Sequence, residues 1–176
     1  MVVSRQMALE NNIIDWKSLS KQEKYAALHT QWNGLMDTKV DLVANLSNAT
    51  ALMKTIFQWW WVGFYRVDGK ILMLAPFQGP PACTTIELGK GVCGSAWQQA
   101  TTLVVPDVDV FPGHIACSSQ SKSEVVIPIQ DENGAVVGVL DVDSDVLNDF
   151  NETDVVHLRK VSQLAAKCMG YFVQWS

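Results

Sequence analysis

"EVVIPIQDENGAVVGVLDVD", residues 124 to 143, consists of two runs of branched apolar residues separated by Asn133-Gly134. Branched residues favour the pleated surface of a sheet, and Asn-Gly accepts the positive φ of a tight reversal, so the stretch predicts a β-hairpin. On its second strand the side-chain period of two sends Asp141 and Asp143 to one face and Leu140 and Val142 to the other. Two carboxylates therefore share a face. Residues 59 to 77, "WWWVGFYRVDGKILMLAPF", repeat the pattern around Asp68-Gly69 and predict a second hairpin. Alternation there sets Trp60 opposite Trp59 and Trp61, with one of the two faces lining a pocket. A sheet assembled from hairpins is mostly antiparallel.

Helices surround these hairpins. Ser20 and Glu23 form a capping-box pattern ahead of Tyr25, Leu28, Trp32 and Leu35, which recur at helical spacing. After a break at Asp37 and Thr38, Leu42, Leu46, Ala49, Met53 and Ile56 make a second stripe. Asn151 or Thr153 caps a last helix carrying Leu158, Val161, Ala165, Cys168 and Phe172. Between the hairpins the chain is loop-rich, with one short helix over Val92 to Ala100 and a short strand, "TTLVV", ended by Pro106. The expected architecture is α+β: a mostly antiparallel central sheet flanked by N-terminal and C-terminal helices. It is expected to form one domain over residues 1–176, with leading helices in 1–57 and the sheet, loops and terminal helix in 58–176.

Composition narrows the function. The 176 residues are 48% hydrophobic and 18% charged, with a net charge of −5. A chain of this size can bury its own core. There is no basic footprint to neutralise phosphates, which argues against nucleic acid and anionic membranes as partners and favours a small polar ligand. The N-terminal stretch lacks an apolar secretory core, and the longest apolar run, "WWWVGFY", is too short to span a bilayer. A cytoplasmic location with reduced cysteines is expected.

Four cysteines carry the candidate chemistry. Cys168 falls on the apolar stripe of the last helix and reads as a small buried hydrophobe. Cys83, Cys93 and Cys117 lie in or beside Gly, Pro or Ser rich connections and invite a redox reading. Their spacing is not that of CxxC pairs and the histidines are scattered, so neither a metal nor another cofactor is expected. Cys93 opens the short helix beside Lys90, and a helix N-terminus with a nearby lysine lowers a thiol pKa. Local physics makes it the first candidate nucleophile, against the alternative of a small residue packing the helix start. The Gly89-Lys90-Gly91 run lacks the rest of a phosphate loop. From Asp141 to Glu152 the acids match a calcium loop, but its sixth place, Val146, should be glycine, and a strand rather than a helix precedes it. Asp141 and Asp143 read instead as a solvated strand end or as a clasp for a cation such as an amino group. Aromatic walls beside them suit a zwitterion with an apolar tail.

"WVGFYR" (61–66), "PFQGPPAC" (76–83), "GKGVCGSAW" (89–97), "VPDV" (105–108), "FPGHIAC" (111–117), "SKSEVVIPI" (121–129) and "GVLDVDS" (138–144) follow the order seen in free methionine-(R)-sulfoxide reductases, which have the GAF-domain fold. From about Asp41 to the last helix the chain closely resembles that family; Ala75, where the family has glycine, is a small departure. The resemblance implies that Cys117 attacks the sulfoxide sulfur and becomes a sulfenic acid, which Cys83 resolves to a disulfide reduced by a thioredoxin-type partner. It implies an ancillary role for Cys93, against the local ranking. It further implies that Glu124 protonates the sulfoxide oxygen, that Asp141 and Asp143 hold the substrate ammonium, and that Trp61 and Tyr65 surround the methylthio end. A pocket that devotes two carboxylates to an amine would leave them unpaired with a peptide-bound residue, so selectivity for the free amino acid follows. The oligomeric state is left open, a homodimer included. Two other readings stand beside this one: a ligand-sensing GAF module without catalysis, and a peroxide-sensing thiol switch.

Overall fold

The computed structural model describes residues 14–37, 40–113 and 120–169. Helix α1 (Lys21–Leu35) starts at a complete capping box between Ser20 and Glu23 and buries Tyr25, Leu28 and Trp32, three members of the expected stripe. Helix α2 (Leu42–Phe57) is capped by Asp41, which accepts the Val43 N–H at 2.7 Å, and its whole stripe from Leu42 to Ile56 is buried. Helix α3 (Gly91–Gln99) follows the Gly-Lys-Gly turn. Helix α4 (Glu152–Met169) begins after Asn151, whose Oδ1 accepts the Thr153 N–H at 2.9 Å; Asn151 is therefore the cap, and Leu158, Val161 and Ala165 are buried. The side chain of Cys168, and Phe172 altogether, lie outside the described residues.

Six strands form one antiparallel sheet in the order β3-β2-β1-β6-β5-β4: β1 (Trp61–Asp68), β2 (Ile71–Gln78), β3 (Thr85–Glu87), β4 (Leu103–Val105), β5 (Ser123–Gln130) and β6 (Val136–Ser144). Both expected hairpins are present. In the first, Asp68 pairs with Ile71 across Gly69, whose φ is +61°. The second turns through residues 131–135, where Asp131 Oδ1 accepts the N–H groups of Asn133 and Ala135 at 2.9 Å each. Its register slips by one between Ile129 and Gln130. Strand β3 was not anticipated, because three residues bounded by loops carry too little pattern to read.

The tryptophan expectation needs correction. Strand β1 starts only at Trp61, after Gln58 in the left-handed region at φ 60°, so strict alternation does not extend back through the triplet. Trp59 packs with the helices, whereas Trp60 and Trp61 both line the cavity described below.

One face of the sheet is covered by α1, α2 and α4 over a core that includes Val62, Phe64, Val125, Ile127, Leu140 and Val142. The other face carries Trp61, Tyr65, Val126 and Val139 and is covered by α3 and the loops, with Val92, Cys93 and Ala96. Among the described residues no helix is long and apolar enough to cross a membrane.

Candidate active site

Strand register assembles the site. Trp61 pairs with Asp143 and Asp143 with Glu124; Gly63 pairs with Asp141 and Asp141 with Val126. Residues paired across antiparallel strands point to the same face, so two adjacent rows project Trp61, Asp143, Glu124 and Asp141 to the side away from the helical layer. They meet a cavity of about 50 Å³ that is also lined by Pro80–Ala82, Ile86, Lys90–Cys93 and Ser121. This is room for a few waters rather than an amino acid.

The aromatic wall is built from β1. Trp61 and Tyr65 lie on one face with ring centroids 6.0 Å apart, and Phe77 extends the stack, 5.4 Å from Trp61. Two glycines let the indole lie flat. A Cβ at Gly63 would stand 2.4 Å from Trp61 Cη2, and one at Gly79, where φ is +143°, would stand 2.6 Å from Trp61 Cδ1. Both rings also tether the loop that bears Cys83. Trp61 Nε1 donates to the Pro80 carbonyl at 3.2 Å, and the Tyr65 hydroxyl donates to the Cys83 carbonyl at 3.1 Å.

Glu124 and Asp141 are 6% and 7% exposed. No described lysine or arginine forms an ion pair with them or with Asp143. Burial, followed by the charges of Asp141 and Asp143, pushes the Glu124 carboxyl well above its ordinary range. Burial, followed by the charge of Asp143, does the same to Asp141. Asp143 is raised by burial to about 6, with the Ser121 hydroxyl, which donates to its Oδ1, acting in the opposite direction. One buried oxygen, Asp141 Oδ1, has no hydrogen-bond partner. At neutral pH such a group can hold a proton for delivery, which an exposed glutamate cannot.

Cys93 departs from the local expectation. Its thiol is buried within the acids, with Sγ 3.9 Å from Glu124 Oε1, instead of facing outward in the field of the α3 N-terminus. Burial first, then the charges of Asp141 and Glu124, raises its pKa well above the usual thiol value. The shift is upward, opposite to the one expected at a helix start, because desolvation and anions outweigh a helix end and a lysine that is itself exposed. Cys83 is disulfide-bonded and Cys93 is free. Cys117, the expected nucleophile, lies outside the described residues. Ser121 is a member of the site that the sequence reading missed; a serine four residues beyond Cys117 in a polar run gives no signal of its own.

Comparison with known proteins adds the following. A model of the GAF domain matches residues 41–169. GAF domain-containing protein A of Dictyostelium discoideum is 56% identical over 146 residues, 82% of this chain and 92% of that one. A free methionine-R-sulfoxide reductase of Escherichia coli is 41% identical over 148 residues, 83% of this chain and 89% of its own. The X-ray structure of free methionine-R-sulfoxide reductase from Neisseria meningitidis in complex with its substrate superimposes with a TM-score of 0.79 at 44% identity, covering 90% of this chain and 96% of that one.

Proposed function

Because this chain belongs to the GAF-domain family and, within it, to the free methionine-R-sulfoxide reductases, we propose that it reduces free L-methionine-(R)-sulfoxide to methionine. The observation that carries this reading is a group of two buried carboxylates, Glu124 and Asp141, and a half-buried third, Asp143, without a described cationic partner, set beneath an aromatic wall and beside a disulfide-bonded cysteine. An ammonium group supplies the missing cation, the aromatic wall accepts a methylthio group, and a cysteine pair supplies two electrons.

In the cycle we propose, Cys117 Sγ bonds to the sulfoxide sulfur while Glu124 gives a proton to the oxygen. The oxygen passes to Cys117 as methionine leaves, producing a sulfenic acid. The Cys83 thiol then attacks that sulfur, forming the Cys83–Cys117 disulfide and releasing water. A dithiol reductant of the thioredoxin type returns both thiols. That Cys93 is free while Cys83 is bonded supports Cys117 as the exchange partner of Cys83. Asp141 and Asp143 hold the ammonium, and Ser121 orients Asp143 by its hydroxyl. A cycle that consumes cellular dithiols belongs in a reducing compartment, which supports a cytoplasmic location. Every group named for it comes from this one chain, so a homodimer is compatible with the cycle but not required by it.

The test is a coupled assay with thioredoxin, thioredoxin reductase and NADPH on separated R and S epimers of the free amino acid. Consumption of the R epimer alone is expected. Turnover with peroxide and none with either sulfoxide would replace the reductase reading by a thiol switch.

A further inference from the structure

The proposed cycle makes no use of the Cys93 thiol, although it is buried against two carboxylates at the floor of the cavity. We infer that Cys93, Glu124 and Asp141 form a three-point site for a thiophilic divalent cation of the zinc class, placed where the substrate ammonium binds, so that metal and substrate exclude one another. One ligand atom from each residue lies within 4.8 Å of the other two. Around a zinc-sized ion with bonds of about 2.0 to 2.3 Å, neighbouring ligands stand roughly 3.5 Å apart, so side-chain rotations that draw the three atoms inward by about 1 Å complete the tripod.

A second observation points to a cation independently of the cluster. Asp141 lines the cavity, and its buried Oδ1 has no hydrogen-bond partner, which leaves an acceptor oxygen unsatisfied in a residue beside that space. The donor set selects among cations: a thiolate favours zinc, cadmium or cobalt over magnesium and calcium, and with the two carboxylates it brings three negative charges to the two positive ones of the ion. The three ligands come from α3, β5 and β6, which are fixed against each other by the sheet and the second core, and all three residues line the cavity. The spacing rules that argue against a structural zinc site do not bear on it, because they describe ligands close in sequence. Binding requires the ligands to shed protons, so affinity rises with pH.

The metal site stands on geometry alone; the competition rests on the reductase reading. The probe is cobalt(II) alone, titrated into the reduced Cys83→Ser/Cys117→Ser chain and read by its thiolate charge-transfer and visible d–d bands. One equivalent should bind with a charge-transfer band, and free methionine sulfoxide should bleach it. Cys93→Ser should abolish the band, and the isosteric Glu124→Gln should weaken affinity by more than the roughly 10- to 100-fold typical of outer-shell changes. A band that survives Cys93→Ser, or an unchanged affinity in Glu124→Gln, overturns the site; the glutamine variant decides if the serine variant does not fold. Calorimetric binding of the sulfoxide to the metal-free chain separates the two ideas. A cobalt band without sulfoxide binding overturns the reductase reading and leaves the metal site standing, whereas sulfoxide binding that does not bleach the band overturns the placement.

Discussion

Asp154 in the helical layer and Asp141 in the cavity are both buried carboxylates, yet their surroundings differ in kind. Asp154 is fully buried and saturated: Lys21 Nζ and the Tyr25 hydroxyl each donate at 2.7 Å, and the Asn151 N–H donates at 2.8 Å. It ties α1 to the start of α4. Asp141 has two acids and a thiol for neighbours, no described cation, and an oxygen without a partner. Lys21 offsets the buried charge of Asp154, whereas burial and the charge of Asp143 favour the protonated form of Asp141 until a cation compensates it, which fits the clasp proposed for the substrate ammonium.

The largest effect that can break this contrast is chemical. Cys117→Ser should abolish methionine release even in a single turnover, since an alcohol is too weak a nucleophile for the sulfoxide sulfur. Cys83→Ser should preserve one turnover and leave a sulfenic acid that dimedone traps. Single-turnover release by Cys117→Ser at the wild-type rate would move the attack to another thiol.

Next in size is recognition. Asp141→Asn and Asp143→Asn should each raise KM for the free sulfoxide by an amount equivalent to about 2 to 5 kcal/mol, the usual cost of truncating one member of a buried charge pair. N-acetylmethionine sulfoxide, which has no ammonium, should be a poor substrate for the native chain. An N-acetyl substrate turned over as readily as the free one would refute the clasp.

The helical site should respond in the other observable. Asp154→Asn leaves Lys21 and Tyr25 without their charged acceptor and should lower stability by about 2 to 3 kcal/mol, near the lower end for breaking such a pair because Lys21 keeps some contact with water. Its kcat/KM should stay close to wild type. Equal losses of activity from the two sites would erase the distinction drawn here.

The smallest effect is a pH signature. A carboxyl whose pKa is raised by folding holds its proton where the unfolded chain has lost it, so its stabilising contribution is present below the unfolded value and is lost as pH rises through the folded one. For Asp143 the window runs from 3.8 to about 6. The Tm advantage of Asp143→Asn over wild type should therefore grow across that window and level above it. In the native enzyme kcat/KM should fall on the alkaline side as Glu124 loses its proton, and Glu124→Gln should be impaired at every pH.

Much of the architecture was legible in the sequence for local reasons. Capping boxes, helical stripes and turn dipeptides are encoded within a few residues, and the period of two was enough to place Asp141 and Asp143 on one face. Cys93 was misjudged because its thiol pKa depends on Asp141 and Glu124, which come from distant strands and which no local window contains. The tryptophan triplet was misjudged because alternation holds only inside a strand, and the strand begins at its last member.

What the sequence by itself determined is therefore the set of elements, the antiparallel hairpins and the pair of aspartates. Tertiary structure decided what joins them. Gln130 pairs with Val136, and continuing that register unbroken would set Glu124 opposite Val142, on the helix-covered face; the one-residue slip after Ile129 sets it opposite Asp143 instead. Because side chains alternate with a period of two, a single extra residue in the ladder moves a carboxylate from one face of a sheet to the other, and here it brings Glu124 into the cavity with the aspartates.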